Sequence, residues 1–296
     1  MPVEACGSLY DWGNMKRRDF LRTLAVGIIA GGVMPAGALA EISKISSPAF
    51  PEDRDDYVRD YLQKIRYFDK PHKGDIYLDH KRYALLGSSV KRFKRLQKSV
   101  GHANFHLLNF DDAIRFSRDY SRVGPFTKAE LHFLEMIFYD DPSLYGFFGE
   151  KPVKDLTARI QIRDVVKVRH TGNYLYKGLP FETYKKIKRD VDDQVILTSG
   201  VRSVIKQFLL FLNKAYNNKG NLSLASRSLA PPGYSFHGVS DFDVGQAGFG
   251  VANFTERFVS TPVYRNLKDS GYLKLRYPRE NMLGVRFEPW HIKVNS

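Results

Sequence analysis

Ser235-Phe-His-Gly-Val-Ser-Asp-Phe-Asp243, taken with Glu288-Pro-Trp-His291 near the C-terminus, is the stretch on which the reading of this chain turns. Two histidines and an aspartate, His237, His291 and Asp243, are side chains that hold a zinc ion through nitrogen and oxygen and leave a fourth position open for water. Glu288, three residues before His291, is not needed as a ligand and is free to take a proton from that water. Three ligands and a carboxylate base are the minimum set for metal-assisted hydrolysis. A lone histidine is most often a satisfied polar residue, so it is the coincidence of two spaced motifs that argues for chemistry. Asp241 lies two residues from Asp243, and strand alternation turns both to one face. Either carboxylate is therefore available as the third ligand.

Outward from this stretch, Gln194-Val-Ile-Leu-Thr198 reads as a short buried strand. It runs into Ser199-Gly-Val-Arg-Ser203 and then a helix to about Tyr216. Arg202, at the strand-to-helix junction, presents a planar fork suited to a carboxylate or a developing oxyanion. The plainer reading is an arginine that bonds a helix end or an aspartate.

Ser-x-His with Asp243 six positions after His237, Glu-Pro-Trp-His, and strand–Ser-Gly-x-Arg-Ser–helix with Gln207 four residues after Ser203 together resemble the zinc D-alanyl-D-alanine carboxypeptidases and dipeptidases of the VanY and VanX type. The family's second motif is matched in full. Its first reads Ser-x-His-x-x-Gly-x-Ala-x-Asp; here it is one residue short, with Ser240-Asp241 where Gly-x-Ala is expected, and Val201 replaces a tyrosine. The family aspartate sits in a hydrophobic strand, which favours Asp243 over Asp241. The resemblance covers residues 180–296 and implies an α+β fold, a small, mainly antiparallel sheet with flanking helices around a zinc groove. It further implies one zinc per chain on His237, Asp243 and His291, Glu288 as catalytic base, and Arg202, Ser235 and Gln207 against substrate. The activity implied is hydrolysis of D-Ala-D-Ala-type bonds in peptidoglycan stem peptides by Glu288-assisted attack of water on zinc. D,D-endopeptidase and D,D-dipeptidase action are close variants, and a non-catalytic cell-wall-binding protein of the same fold is the competing class.

Composition agrees with a folded protein: 296 residues, 43% hydrophobic, 14% aromatic and 26% charged. The net charge of +14 first suggests nucleic acid or an anionic surface. No helix-turn-helix, zinc-finger spacing or aromatic RNA-binding pattern accompanies it, so nucleic acid is not expected and an acidic cell envelope is the natural partner. Residues 1–40 read as a twin-arginine export signal: Lys16-Arg-Arg-Asp-Phe-Leu-Arg22, an apolar run over 23–34, and the small residues of Ala38-Leu-Ala40. The run is shorter than the about 20 residues of a spanning helix; a retained anchor is the alternative. Met15 is an alternative start. Cleavage after Ala40 removes Cys6, the single cysteine, and leaves zinc to nitrogen and oxygen ligands. The expected location is periplasmic, with no stable membrane span after cleavage.

Residues 41–179 are expected to form a helical extension of unassigned role, beginning with an extended linker over 41–51. Tyr57, Tyr61, Ile65 and Phe68 mark one helix, and others are expected around 80–99, 110–120 and 127–139. The last carries the stripe Leu131, Leu134, Ile137 and Phe138 behind the capping box Thr127-x-x-Glu130. The basic run 91–98 is a solvated helix face or a contact for anionic wall polymers. The aromatic loop 143–150 lines a groove or plugs a junction. Helices over 181–191 and 255–268 and strands over 272–277 and 285–294 complete the reading. Histidines 72, 80, 102, 106 and 170 have no spacing partner and are given no role.

Overall fold

The computed structural model describes residues 54–294. The export signal, the 41–51 linker and the side chain of Tyr57 lie outside the described residues. The chain opens on helix α1 (Arg54–Arg66) and continues into α2 (His80–Val100), whose first turn is closed by the Asp79 carboxylate accepting from the Arg82 N–H at 2.8 Å. Short α3 (His102–Phe105) follows, then α4 (Phe110–Asp119) behind an Asn109 cap. Helix α5 (Lys128–Tyr139) starts on the reciprocal bonds of Thr127 and Glu130 and buries Leu134, Ile137 and Phe138. Strands β1 (Val165–Lys167) and β2 (Tyr174–Tyr176) form an antiparallel pair.

The second half runs α6 (Leu179–Asp190), β3 (Val195–Ser199), α7 (Val204–Asn217), α8 (Leu222–Ser226), β4 (Phe242–Gln246), α9 (Pro262–Asp269) and β5 (His291–Ile292). The three strands form an antiparallel sheet in the order β3-β4-β5. The fold is α+β, with two small antiparallel sheets set among helices.

Two apolar clusters hold these elements. One is helical: Leu86, Val90 and Phe93 of α2 and Phe133, Leu134 and Phe138 of α5 pack with Ile205, Phe208, Phe211 and Leu212 of α7. Helix α7 is apolar on most of its circumference because neighbours cover it on most sides, and burying one such phenylalanine contributes about 1.5–3 kcal/mol. This cluster therefore joins residues from before and after position 180. The other cluster lies on the sheet, where Leu197, Phe242, Val244 and Ile292 meet Tyr184 and Ile187 of α6 and Val263 and Leu267 of α9. In the 143–150 loop, Tyr145 and Phe147 insert into the helical cluster while Leu144 and Phe148 face outward. Arg227 makes a buried bidentate pair with Asp75 at 2.7 and 2.9 Å, fastening α8 to the segment before α2.

The C-terminal quarter departs from expectation. Residues 272–277 are not a strand; they meet β5 at a Leu275–Ile292 bridge and pack Tyr272 and Leu273 against the sheet cluster. The strand expected over 285–294 is reduced to His291–Ile292. The helix expected over 255–268 is a 3-10 turn, Glu256–Ser260, followed by α9, which Thr261 caps and Pro262 begins. Prolines at 278 and 289 withhold ladder donors, so widely spaced single bonds replace pairing, as from Glu288 N–H to Tyr277 C=O and Lys293 N–H to Lys274 C=O.

Candidate metal centre

The register of the sheet builds the site. On β4, Asp243 is paired with His291 of β5 on one side and with Ser199 of β3 on the other, beside an irregularity between Leu197 and Ser199. Directly opposed residues project side by side. His291 Nδ1 accordingly lies 3.1 Å from Asp243 Oδ1. His237 arrives from a 3-10 turn, Phe236–Gly238, whose His237 carbonyl accepts the Arg202 N–H at 3.1 Å and whose Gly238 carbonyl accepts the Tyr176 hydroxyl at 2.6 Å. Its Nε2 lies 3.3 Å from the same Asp243 oxygen.

His237, Asp243 and His291 are buried, and one donor atom from each lies within 4.8 Å of the others. Two atoms each about 2.0–2.1 Å from one tetrahedral zinc ion stand about 3.3 Å apart, close to both separations from Asp243 Oδ1. That oxygen is buried and makes no hydrogen bond with any described residue. An orphaned carboxylate oxygen flanked by two imidazole nitrogens is what a cation would satisfy, and the nitrogen and oxygen donor set fits zinc. Burial alone would raise Asp243, but the two imidazoles outweigh it and hold the carboxyl well below its ordinary range.

The far side of each histidine is fixed. His237 Nδ1 donates to the Gly200 carbonyl at 2.9 Å, leaving Nε2 to face the cluster. His291 Nε2 bonds the Asp241 carboxylate at 3.0 Å, leaving Nδ1 to face it. Asp241 also accepts from Arg276 Nε at 2.5 Å and from the Val294 N–H at 3.1 Å. The two candidate carboxylates are thus distinguished: Asp241 bonds the far nitrogen of His291, an arrangement of the kind that orients metal-binding histidines, and Asp243 is the one in the cluster. Burial disfavours charged His291, yet Asp241 and Asp243 outweigh it and raise its pKa to about 9.

Glu288 does not sit on the last strand. Residues 288–291 form a tight turn closed by the His291 N–H on the Glu288 carbonyl at 3.2 Å, with Pro289 in its second position. The turn solves the parity problem that three residues of regular strand would pose, and Glu288 Oε2 comes to 3.9 Å from His291 Nδ1. Burial pushes Glu288 up to about 7, with Arg286 and His291 pulling the other way.

Arg202 enters from the end of β3. Its Nη2 donates to Ser199 Oγ at 2.9 Å and stands 3.8 Å from Asp243 Oδ2. Its Nη1 donates to Gln207 Oε1 at 3.1 Å, while the Gln207 amide donates to the Ala230 carbonyl. Gly200 makes this junction possible, because a Cβ there would lie 2.0 Å from the Tyr174 carbonyl oxygen, which accepts the Val201 N–H.

A cavity of about 410 Å³ opens over these groups, lined by Arg202, Ser235, His237, Asp243, Glu288 and His291 among others. Gln207 is buried and not in the lining; it holds Arg202 rather than facing the cavity. Two lining residues escaped the sequence reading. His106 was set aside for want of a spacing partner, and Lys206 lay unremarked in a helix. Burial, reinforced by Lys206, lowers His106 to about 3; burial and Arg202 lower Lys206 to about 8.

Among solved structures, a mutant of the vancomycin-resistance D,D-pentapeptidase VanY from a VanB-type cassette, in complex with Zn(II), is similar at 22% identity, covering 52% of this chain and 88% of that one, with a TM-score of 0.37. No curated protein matches. Residues 181–295, which carry the metal cluster, Glu288 and Arg202, match the family model VanY, D-alanyl-D-alanine carboxypeptidase, so the C-terminal part of this chain is carboxypeptidase-like.

Proposed function

We propose that this chain is an exported zinc-dependent peptidase that removes a terminal D-amino acid from peptidoglycan stem peptides. The observation that carries the reading is the convergence of His237 Nε2, His291 Nδ1 and Asp243 Oδ1, with the Glu288 carboxylate beside them. His237, Asp243 and His291 would hold a zinc ion, which when bound would supply Lewis acidity at the site. Glu288 takes the proton from the attacking water and delivers it to the leaving amine. The Arg202 guanidinium steadies the oxyanion or the substrate carboxylate, and Ser235 hydrogen-bonds substrate along the cavity wall. Gln207 is a positioning residue for Arg202, and Asp241 for His291. The twin-arginine leader carries the folded chain to the periplasm, where its basic charge suits an acidic wall.

Zinc analysis of the purified protein, together with mass spectrometry of muropeptides incubated with it, tests this reading. One zinc per chain and the loss of one alanine from pentapeptide stems are expected. Unchanged muropeptides in the presence of full zinc would reject the activity. Active protein in the periplasm after Arg17-Arg18 is replaced by Lys-Lys would reject the export route.

A further inference from the structure

One wall of the cavity carries positive charge that the metal centre does not use. Lys206, in the first turn of α7, is 8% exposed and lines the cavity. It makes no ion pair with a carboxylate among the described residues, its ammonium lies 5.9 Å from the Phe105 ring, and the charge that acts on it is the like charge of Arg202. A charge held largely out of water without a counter-ion is unfavourable, and an anionic ligand would relieve it. Beside it stands His106, the residue that closes α3, 4% exposed and also in the lining. Its Nδ1 is 3.1 Å from the Val201 carbonyl oxygen and so carries the hydrogen. In the neutral ring Nε2 is then an acceptor, and it is buried with no hydrogen-bond partner among the described residues. The wall thus offers a cationic donor and a neutral acceptor, on two residues each nine-tenths buried and both in the lining of the same cavity. His106 comes from the helical half, before the matched segment 181–295.

We propose that Lys206 and His106 form a subsite for the carboxylate end of an amino-acid unit of the peptide: Lys206 takes the carboxylate oxygens, and His106 Nε2 accepts a backbone N–H of the peptide. The proposal rests on the peptidase reading above and deepens it, because it leaves Arg202, 3.8 Å from Asp243, to the oxyanion. The carboxylate belongs either to the chain end or to an acidic side chain, and the test separates the two.

The probes are a pentapeptide ending in D-Ala-D-Ala with one glutamate side chain, its chain-end amide, its side-chain amide and the double amide. Calorimetry measures their binding to zinc-loaded Glu288→Gln protein, with and without Lys206→Met. The parent peptide should lose about ten-fold in affinity on Lys206→Met and the double amide less than about two-fold. Whichever single amide loses the Lys206 dependence identifies the carboxylate. Lys206→Gln gives the same reading should the methionine variant not fold. Equal losses for parent and double amide, or no loss for either, would overturn the subsite. Wild-type protein that binds these peptides but cleaves none of them would overturn the peptidase reading and leave the subsite standing. Failure to bind any of them would overturn both.

Discussion

The helical part of the molecule and its sheet are built by different means. In the helical cluster, Phe93 of α2 stacks on Phe208 of α7 at 6.0 Å between ring centroids, with more apolar neighbours on every side. Helices α2, α4, α5 and α7 each begin on a local side-chain cap, Asp79, Asn109, Thr127 and Ser203. In the sheet, β5 has two residues and the site depends on one register, one turn and a few buried polar bonds. Redundant packing tolerates the loss of any one group with a graded cost, whereas a polar constellation loses its chemistry outright. Substitutions on the two sides should therefore separate activity from stability.

The largest effect is expected from His237→Ala and His291→Ala. Each should shed most of the zinc and bring peptidase activity to background while circular dichroism still reports the helices; full zinc in both variants would sink the metal assignment. Glu288→Gln should lower turnover by roughly 10²–10⁴-fold with zinc content unchanged. Zinc lost along with activity would instead make Glu288 a ligand. Arg202→Ala should cost about 10²–10³-fold in kcat at full zinc occupancy, and turnover equal to the parent's would reduce Arg202 to a structural role. Asp241→Asn should weaken zinc binding by about 10–100-fold in competition with a chelator; undiminished affinity would show that Asp241 does not orient His291. On the helical side, Phe93→Ala should destabilise by about 3–5 kcal/mol in urea and change kcat per folded molecule by no more than about two-fold. A large drop in kcat there would erase the contrast between the two regions.

The same contrast explains what the sequence disclosed. Helices α2, α4 and α5 lie close to the expected 80–99, 110–120 and 127–139; the Thr127 box is read from the sequence, and the structure adds caps at Asp79 and Asn109 that also act within three residues of themselves. His237, Asp243, His291 and Glu288 stood out because spaced motifs mark them together. The form of residues 270–294 was not legible. Their apolar alternation resembles strand, yet Pro278 and Pro289 interrupt pairing and Tyr61 of α1 ties down the turn between them, its hydroxyl donating to the Asn281 carbonyl at 2.9 Å and accepting the Gly284 N–H at 3.0 Å. Nothing near residue 281 announces a tyrosine 220 positions earlier. His106 was hidden for the same reason, since it acquires a setting only when the Val201 carbonyl and Lys206 are brought to it. Gln207 was read as facing substrate because a motif records position and not direction.

The two-residue strand β5 has a consequence for how the chain's end is kept in place. Two paired residues and a Val244 N–H bonded to the Trp290 carbonyl at 3.0 Å form too short a ladder to fix an edge strand against slippage by themselves. A one-residue slip would turn His291 away from Asp243, so the ion that needs this pairing would also act as its lock. Deuterium uptake by the Val244 amide should then be slow in zinc-loaded protein and rapid after chelation, with amides at the centre of α7 unaffected. Equal protection with and without the ion would mean that side-chain packing alone keeps the C-terminal edge closed.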